Sequence, residues 1–388
     1  MAVLALSLAA FAAGISQRVT DPMLPRLASE FSLSLGTVSW VVTSFTLGNA
    51  MCQLFFGPIG DRYGKFLVMS GVCVAACVAS LLCGLAPTLP WLLAGRALAG
   101  GMIASIIPLA MAWIGDVVPY ERRQPVLARF LIGQILGVSA GQLLGGLSAD
   151  YFGWRIPFFL VAAIFLMDAL LLYSVRKRLP ASALLTRRGE GHVLQHMWQE
   201  ISLVLAQRWA RVVLLTVFLE GACVFGAFAF FASHIHHTLS VSLTMAGAIV
   251  MLFGFGGALF AVASTRLLPR LGEVGLARWG AGIMLVSLGV IALGGIWGLV
   301  ALGCFSMGTG FYMLHNTLQT NATQMAPERR GAAMSAFAFC YFLGQSAGVA
   351  TAGLVVGSVG TTGVILISGL GVLLVAINFV RAKDRHLQ

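Results

Sequence analysis

Continuous apolar runs of about twenty residues recur along this chain, and they decide what it can fold into. A helix rises about 1.5 Å per residue, so such a run crosses a hydrocarbon core about 30 Å thick. Lipid offers no partners to backbone N–H and C=O groups, which leaves only helices and closed barrels as spanning structures. Barrel strands alternate polar and apolar residues, and these runs do not. Only 10% of the residues are charged and 59% are hydrophobic, against roughly 25% charged in soluble domains. The sequence therefore predicts an all-α membrane protein.

Twelve transmembrane helices are predicted. Six lie at 2–24, 36–58, 66–86, 89–112, 125–147 and 156–175, and six at 210–232, 243–265, 275–295, 297–318, 331–356 and 359–380. Breakers such as Pro87 and Pro90, or Gly294 and Gly295, separate neighbouring runs. The opening stretch Met1–Ser16 lacks a basic leader region and is read as part of the first span. With the N-terminus inside, the cytoplasmic segments collect Arg62, Lys65, Arg122, Arg123, Arg129, Arg266, Arg270, Arg278, Arg329 and Arg330. The outer side receives only Arg18, Arg26 and Arg155. This asymmetry follows the positive-inside rule and puts both termini in the cytoplasm of an inner (plasma) membrane protein. The net charge of +11 is then a topology signal facing anionic lipid, and no nucleic-acid partner is expected. All seven cysteines fall in predicted spans without metal-ligand spacing, and His234, His236 and His237 fall in an outer loop. No metal or cofactor is expected.

Residues 176–209 interrupt the pattern and divide the chain into 1–175, a cytoplasmic linker, 210–380, and a tail at 381–388. Within the linker, Leu194, Met197, Trp198, Ile201 and Leu205 recur at helical spacing, as in an amphipathic helix or a solvated connector. The two flanking parts resemble each other. P-Y-E-R-R at Pro119–Arg123 returns as P-E-R-R at Pro327–Arg330, and I-G-Q-I-L-G-V at Ile132–Val138 as L-G-Q-S-A-G-V at Leu343–Val349. Repeated halves imply two six-helix bundles with pseudo-twofold symmetry and a site between them near mid-membrane.

The sharpest motif is G-P-I-G-D-R-Y-G-K-F, Gly57 to Phe66. Gly57 and Gly60 allow close helix approach and Gly64 a tight turn, while Asp61 can face a helix N-terminus. This string resembles the loop signature of the major facilitator superfamily, with Phe66 where the family carries a second cation. The resemblance implies the major facilitator fold. It also implies a conformational latch in which Gly57, Asp61, Arg62, Gly64 and Lys65 join Asp116 to hold the outward-facing state. Arg96, within W-L-L-A-G-R-A-L-A-G-G, matches the family's span-4 arginine, which drug antiporters associate with proton coupling. An arginine at that depth costs about 2.5–3.5 kcal/mol on insertion scales and calls for a wet cavity, a carboxylate or escape to the interface. Gly137, Gly141, Gly145 and Gly146 form a small-residue face. That face is similar to the antiporter-helix motif, with Gln142 in place of its proline. The pattern resembles the twelve-span drug:proton antiporter branch.

Three acids fall in or at spans: Asp21, Asp168 and Glu220. Burial favours the neutral carboxyl and a nearby cation the charged one, so a carboxylate moved between such surroundings can carry a proton. Glu220, central in span 7 without a neighbouring cation, is the best candidate, and the resemblance puts it on the pathway. Asp21 and Arg96 are predicted as a possible pair; Asp168 has the stronger claim to a structural role. His315, Asn316 and Gln319 form a polar cluster that either lines the cavity or bonds helix to helix. Phosphate loops, H-E-x-x-H and paired catalytic acids are absent from the sequence, which argues against a membrane enzyme or receptor. The expected function is proton-coupled efflux of a small organic or drug-like molecule by a monomer, with protons and lipid as its other partners. Export of a sugar or amino-acid metabolite, or proton symport, is the alternative.

Overall fold

The computed structural model describes residues 2–184 and 193–387. The linker cations Arg187 and Arg188, Gly57, and the side chains of Asp61, Leu194 and Met197 lie outside what is described. The described residues are almost wholly helical: α1 (Ala2–Arg18), α2 (Leu24–Phe31), α3 (Leu35–Val38), α4 (Trp40–Gln53), α5 (Phe56–Tyr63), α6 (Lys65–Gly84), α7 (Leu89–Ile103) and α8 (Ile106–Val117). There follow α9 (Tyr120–Leu147), α10 (Ile156–Arg176), α11 (Val193–Ala206), α12 (Arg208–Phe228), α13 (Phe231–Leu239), α14 (Leu243–Leu293), α15 (Trp297–Gln324) and α16 (Arg330–Leu387). Among the described residues, eight helical stretches are long and apolar enough to cross a membrane, and nine when α2 and α3–α4, bent by 111°, count as one. The molecule is a multi-pass membrane protein.

Local chemistry sets the ends. Ser34 and Ser242 accept the Thr37 and Met245 N–H groups at the starts of α3 and α14, both at 3.1 Å. Pro25, Pro90 and Pro157 sit in first turns, where no N–H is missed. The first span is shorter than expected: α1 stops at Arg18 and the chain turns through Asp21 and Pro22 before α2. α14 and α16 each hold two helices that meet at a kink, at Gly272 (φ 63°) and Gly360 (φ 69°). Gly64 (φ 91°) and Gly153 (φ 85°) stand at the breaks between α5 and α6 and before α10. These are left-handed conformations that favour glycine. Gly64 and Gly272 stand about 208 residues apart, and Gly153 and Gly360 about 207, the spacing of the sequence repeat.

Helix pairing repeats at the same interval. Gly133 and Gly137 of α9 meet the Ser7 and Phe11 backbone of α1, as Gly344 and Gly348 of α16 meet Phe218 and Ala222 of α12. Gly48 and Gly100 join α4 to α7, as Gly256 and Gly308 join α14 to α15. Without a hydrophobic drive between helices in lipid, close backbone contact supplies the packing attraction. Two further contacts tie the early helices to the late ones: Gly36 of α3 on Gly353 of α16, and Gly247 of α14 on Gln142 of α9. Beside the second, Asp150 accepts the Thr244 N–H (2.7 Å) and Oγ1–H (2.6 Å) and the Leu243 N–H (3.3 Å). A carboxylate there meets the positive end of α14.

A Cβ added at Gly100 would run into the carbonyl of Phe45, whereas one at Gly282 meets nothing within 4 Å. Gly100→Ala is therefore expected to destabilise the protein by about 1–3 kcal/mol. Gly282→Ala should be neutral or stabilising by up to about 1 kcal/mol. Thermal melting in detergent distinguishes the two.

Candidate functional site

The centre of the molecule holds charge that the helices shield from both lipid and water. Arg18, assigned to the outer surface from sequence, is instead 3% exposed. Its guanidinium forms an ion pair with Asp21 (3.6 Å) and donates to Gln345 Oε1 of α16 at 3.0 Å. It also lies over the rings of Phe225 (4.2 Å) and Phe228 (5.1 Å) of α12. A cation over two ring faces gains from their quadrupoles, the more so when desolvated. Gln142 of α9 donates to Asp21 Oδ2 at 3.2 Å. One arginine thus joins α1 to α12 and α16, and one aspartate joins it to α9.

Arg96 of α7 is also buried, at 1% exposure, and does not escape to the interface. It does not take Asp21 as its partner, as the sequence suggested. Its guanidinium donates to Ser16 O (2.7 Å), Val41 O (3.4 Å) and Thr20 Oγ1 (3.3 Å), and lies 4.1 Å from the Phe45 ring centroid. The reason is local geometry: α1 ends at Arg18, its last turn leaves carbonyls without helical partners, and Arg96 supplies a donor to one of them, Ser16 O. Arg18, one turn from Asp21, takes the carboxylate.

Across from this group, Glu220 of α12 is wholly buried and its Oε2 lies 2.8 Å from His315 Nδ1 of α15. The imidazole stacks on Phe311 (5.1 Å) and leans on Tyr341 (4.7 Å) and Phe337 (5.6 Å). Tyr341 in turn meets Phe225, the ring beneath Arg18, at 5.8 Å. Two buried charge clusters are therefore separated by a short aromatic wall. Among the described residues, Asp21 Oδ1, Gln142 Oε1, Glu220 Oε1 and Gln345 Nε2 are buried without a hydrogen-bond partner. An unpaired buried polar atom is costly, so a proton or a ligand's polar group would be stabilised at these atoms.

Of the expected cavity residues, His315 joins this site, while Asn316 and Gln319 carry exposed side chains outside its hydrogen bonds. Lys65 and Asp116 form their ion pair at 2.8 Å. Arg62 is exposed and lies 5.5 Å from the Tyr63 ring centroid. Gly137, Gly141, Gly145 and Gly146 all make close backbone contacts, the first three on the segment from Phe11 to Pro22 and the last on Leu243. Gln142, standing where proline was expected, uses its amide on Asp21. Asp168 is buried against Cys73 (3.4 Å), where α6 packs on α10. His234 is not in a surface loop: it is buried in α13, its ring nitrogens 2.9 Å from Thr361 Oγ1 and 3.1 Å from Ile291 O. Among the described residues no group of three or more His, Cys, Asp or Glu could hold a metal. Sequence reasoning missed Arg18, Gln345, Phe225 and Tyr341. A signal existed for the first two, since Arg18 lies inside the predicted span 2–24 and Gln345 inside the repeated G-Q-x-x-G-V string.

The family model for the Major Facilitator Superfamily matches residues 6–349. The uncharacterized MFS-type transporter YceJ of Bacillus subtilis is 26% identical over 262 residues, 68% of this chain and 65% of that protein. The match thus spans slightly less than two thirds of that relative's length. The inner membrane transport protein YnfM of Escherichia coli is 26% identical over 352 residues, 88% of this chain and 81% of that protein. The multidrug export protein EmrB of Haemophilus influenzae is 30% identical over 175 residues, 44% and 34% of the two chains. Among solved structures, an inward-facing, unoccupied bacterial homolog of the human lysosomal transporter Spinster superposes with a TM-score of 0.78. That match has 17% identity and covers 99% of this chain and 96% of the other; at that identity it speaks for the fold alone. The match across most of the chain, together with an all-helical fold shared with solved transporters, makes this protein a member of the Major Facilitator Superfamily of membrane transporters, not an enzyme.

Proposed function

We propose that this transporter is a proton-coupled exporter of small organic molecules, working by alternating access between two six-helix halves. The observation that carries the reading is Glu220: a buried carboxylate with one oxygen on His315 and the other without a partner among the described residues. A proton on Glu220 satisfies a charge that the surroundings otherwise leave half-paired. A cationic or hydrogen-bond-donating substrate at the same oxygen competes with that proton, and competition of this kind is antiport. The similarity to EmrB supports export.

Twelve spans follow from the nine when α14, 51 residues, and α16, 58 residues, are each divided at their glycine breaks and the shorter apolar helix α1, 17 residues, is counted as well. At about 1.5 Å per residue either helix would be more than twice as long as a ~30 Å core is thick. The break at Gly272 falls where the 8–9 loop was expected, with Arg266, Arg270 and Arg278 beside it on the cytoplasmic side. In this orientation the Gly36–Gly353, Gly247–Gln142 and Asp150–Thr244 contacts lie toward the outer face. The conformation is then outward-closed, with Arg18 bolted into the aromatic wall of the opposite half. The Lys65–Asp116 pair serves the latch of the opposite, outward-facing state.

A second reading, proton symport of an organic anion, has one observation in its favour. Two buried guanidiniums, Arg18 and Arg96, are accompanied by one buried carboxylate, Asp21, which pairs with Arg18 alone. A proton on Glu220 would leave that excess free to hold an anion.

Proteoliposomes loaded with a fluorescent drug-like amine and given a pH gradient separate these readings. Wild type is expected to move the amine against the proton flux, and Glu220→Gln, which keeps a hydrogen-bonding partner for His315, to lose at least tenfold of the gradient-driven rate. Transport by wild type at the same rate without a gradient contradicts proton coupling. A second expectation concerns the bolt. Arg18→Ala strips Asp21 of its ion partner and should cost about 3–5 kcal/mol, partly recovered when Asp21→Asn is added. Melting of the two variants in detergent checks it.

A further inference from the structure

The internal repeat places two comparable sites at the cytoplasmic ends of the two halves, and their contents differ. Gly64 and Gly272 fix the register, which pairs Lys65 with Glu273, Phe66 with Val274, Trp113 with Asn321, and Asp116 with Gln324. In the first half this region is filled. Phe66 and Trp113 are buried edge to face at 5.0 Å, and the indole N–H donates to Ala183 O at 3.0 Å in the turn that follows α10. Lys65 closes it against Asp116. In the second half two large rings are replaced by valine and asparagine, and the space they would fill is open. A cavity of about 520 Å³ lies there, lined in part by Trp209, Glu273, Val274, Asn321, Gln324 and Lys383. These six lie on α12, α14, α15 and α16, and neither Arg18, Asp21, Glu220 nor His315 is in the lining, so the cavity is separate from the Arg18–Glu220 region.

The lining is built, not incidental. Lys383 of α16 pairs with Glu273 and donates to Asn321 Oδ1 at 3.0 Å. Asn321 Nδ2 donates to Glu273 Oε2 and to Thr317 O, both at 2.8 Å. The carboxylate is the more open member, 31% exposed against 10% for the ammonium. Gln324 is exposed, and the Trp209 ring is braced by Phe379 at 6.0 Å. The volume is well beyond the ~30 Å³ share of one water and within the roughly 300–1,000 Å³ of small-molecule sites. A lone ion of either sign would be attracted by one member of the Glu273–Lys383 pair and repelled by the other. A molecule carrying both charges meets each with its opposite. The carboxylate and the Gln324 carbonyl accept N–H bonds, which a primary ammonium offers and a trimethylammonium does not.

We propose that this cavity is a ligand site, apart from the transport pathway, for a zwitterion bearing a primary ammonium and an anionic group, with phosphoethanolamine compounds as the probe. A free phosphoethanolamine-type compound and the headgroup of an ethanolamine phospholipid share that chemistry. The test is calorimetric titration of the full-length protein in detergent with glycerophosphoethanolamine, glycerophosphocholine and glycerophosphoglycerol. It is matched by native mass spectrometry from nanodiscs containing the three corresponding phospholipids. Binding of the ethanolamine compound at least tenfold tighter than the other two is expected. Glu273→Gln and Val274→Phe, the latter restoring the ring of the first half, are each expected to weaken it at least tenfold. Selective binding of the free compound identifies a soluble ligand, and selective retention of the phospholipid alone identifies a lipid headgroup; either supports the site. Equal binding of the three head types, or binding unmoved by both substitutions, overturns it. If Glu273→Gln fails to fold, Val274→Phe leaves the ion pair in place and decides. Detergent-solubilised protein carries no proton gradient, so this outcome is independent of whether transport is proton-coupled.

Discussion

A guanidinium held among membrane-spanning helices must find all of its partners inside the protein, and Arg18 does so by reaching across the molecule. Its carboxylate partner is one turn away on its own side, while its amide and aromatic partners are on α16 and α12. Breaking that contact leaves Gln345, Asp21 and the cation all to be satisfied elsewhere, which no single small shift can do. Such a contact favours two discrete arrangements over a continuum, the property a switching element needs. The same need binds Arg96 to the frayed end of α1, so that the turn after Arg18 is held by a second cation.

Around this centre, glycine lets backbones touch. The pairs Gly133–Ser7 and Gly344–Phe218, or Gly100–Phe45 and Gly308–Phe253, show one packing solution used twice at the same sequence interval. The repeat is not copied faithfully in its chemistry. Lys65 answers Asp116 in one half, whereas Glu273 answers Lys383 in the other, and the rings of Phe66 and Trp113 have become Val274 and Asn321. Backbone contacts are shared because only glycine fits them. Side-chain volume and charge sign were free to diverge, and the cavity of the second half is the consequence.

Much of this was legible in the sequence for physical reasons. Membrane depth dictates runs of a certain length, so the apolar helices were predictable; left-handed turns demand glycine, so Gly64 and Gly272 marked matching places. Glu220 stood out because a lone acid in an apolar span needs an explanation, and His315 because it forms a polar cluster with Asn316 and Gln319 in the span at 297–318; their 2.8 Å contact joins residues remote in sequence and had no local signal. Arg18 was misread because α1 ends five residues before the apolar run turns into α2, which moves a residue from the rim into the core. Asp21 and Arg96 were correctly grouped but wrongly paired, since one turn of helix favours Arg18 and the open carbonyls of α1 favour Arg96. Gln142 stands where the motif carries proline, and its amide holds Asp21 from α9.

On the proposed alternating-access function, Arg18 holds the outer ends of the two halves together in one of two states. Pulsed electron-paramagnetic-resonance distances between nitroxides at Ser29 and His237, exposed sites in α2 and α13, measure that directly. The account predicts two populations, the shorter one dominant with Arg18 intact and the longer one dominant in Arg18→Gln. A single distance distribution, unchanged by the substitution, would contradict it.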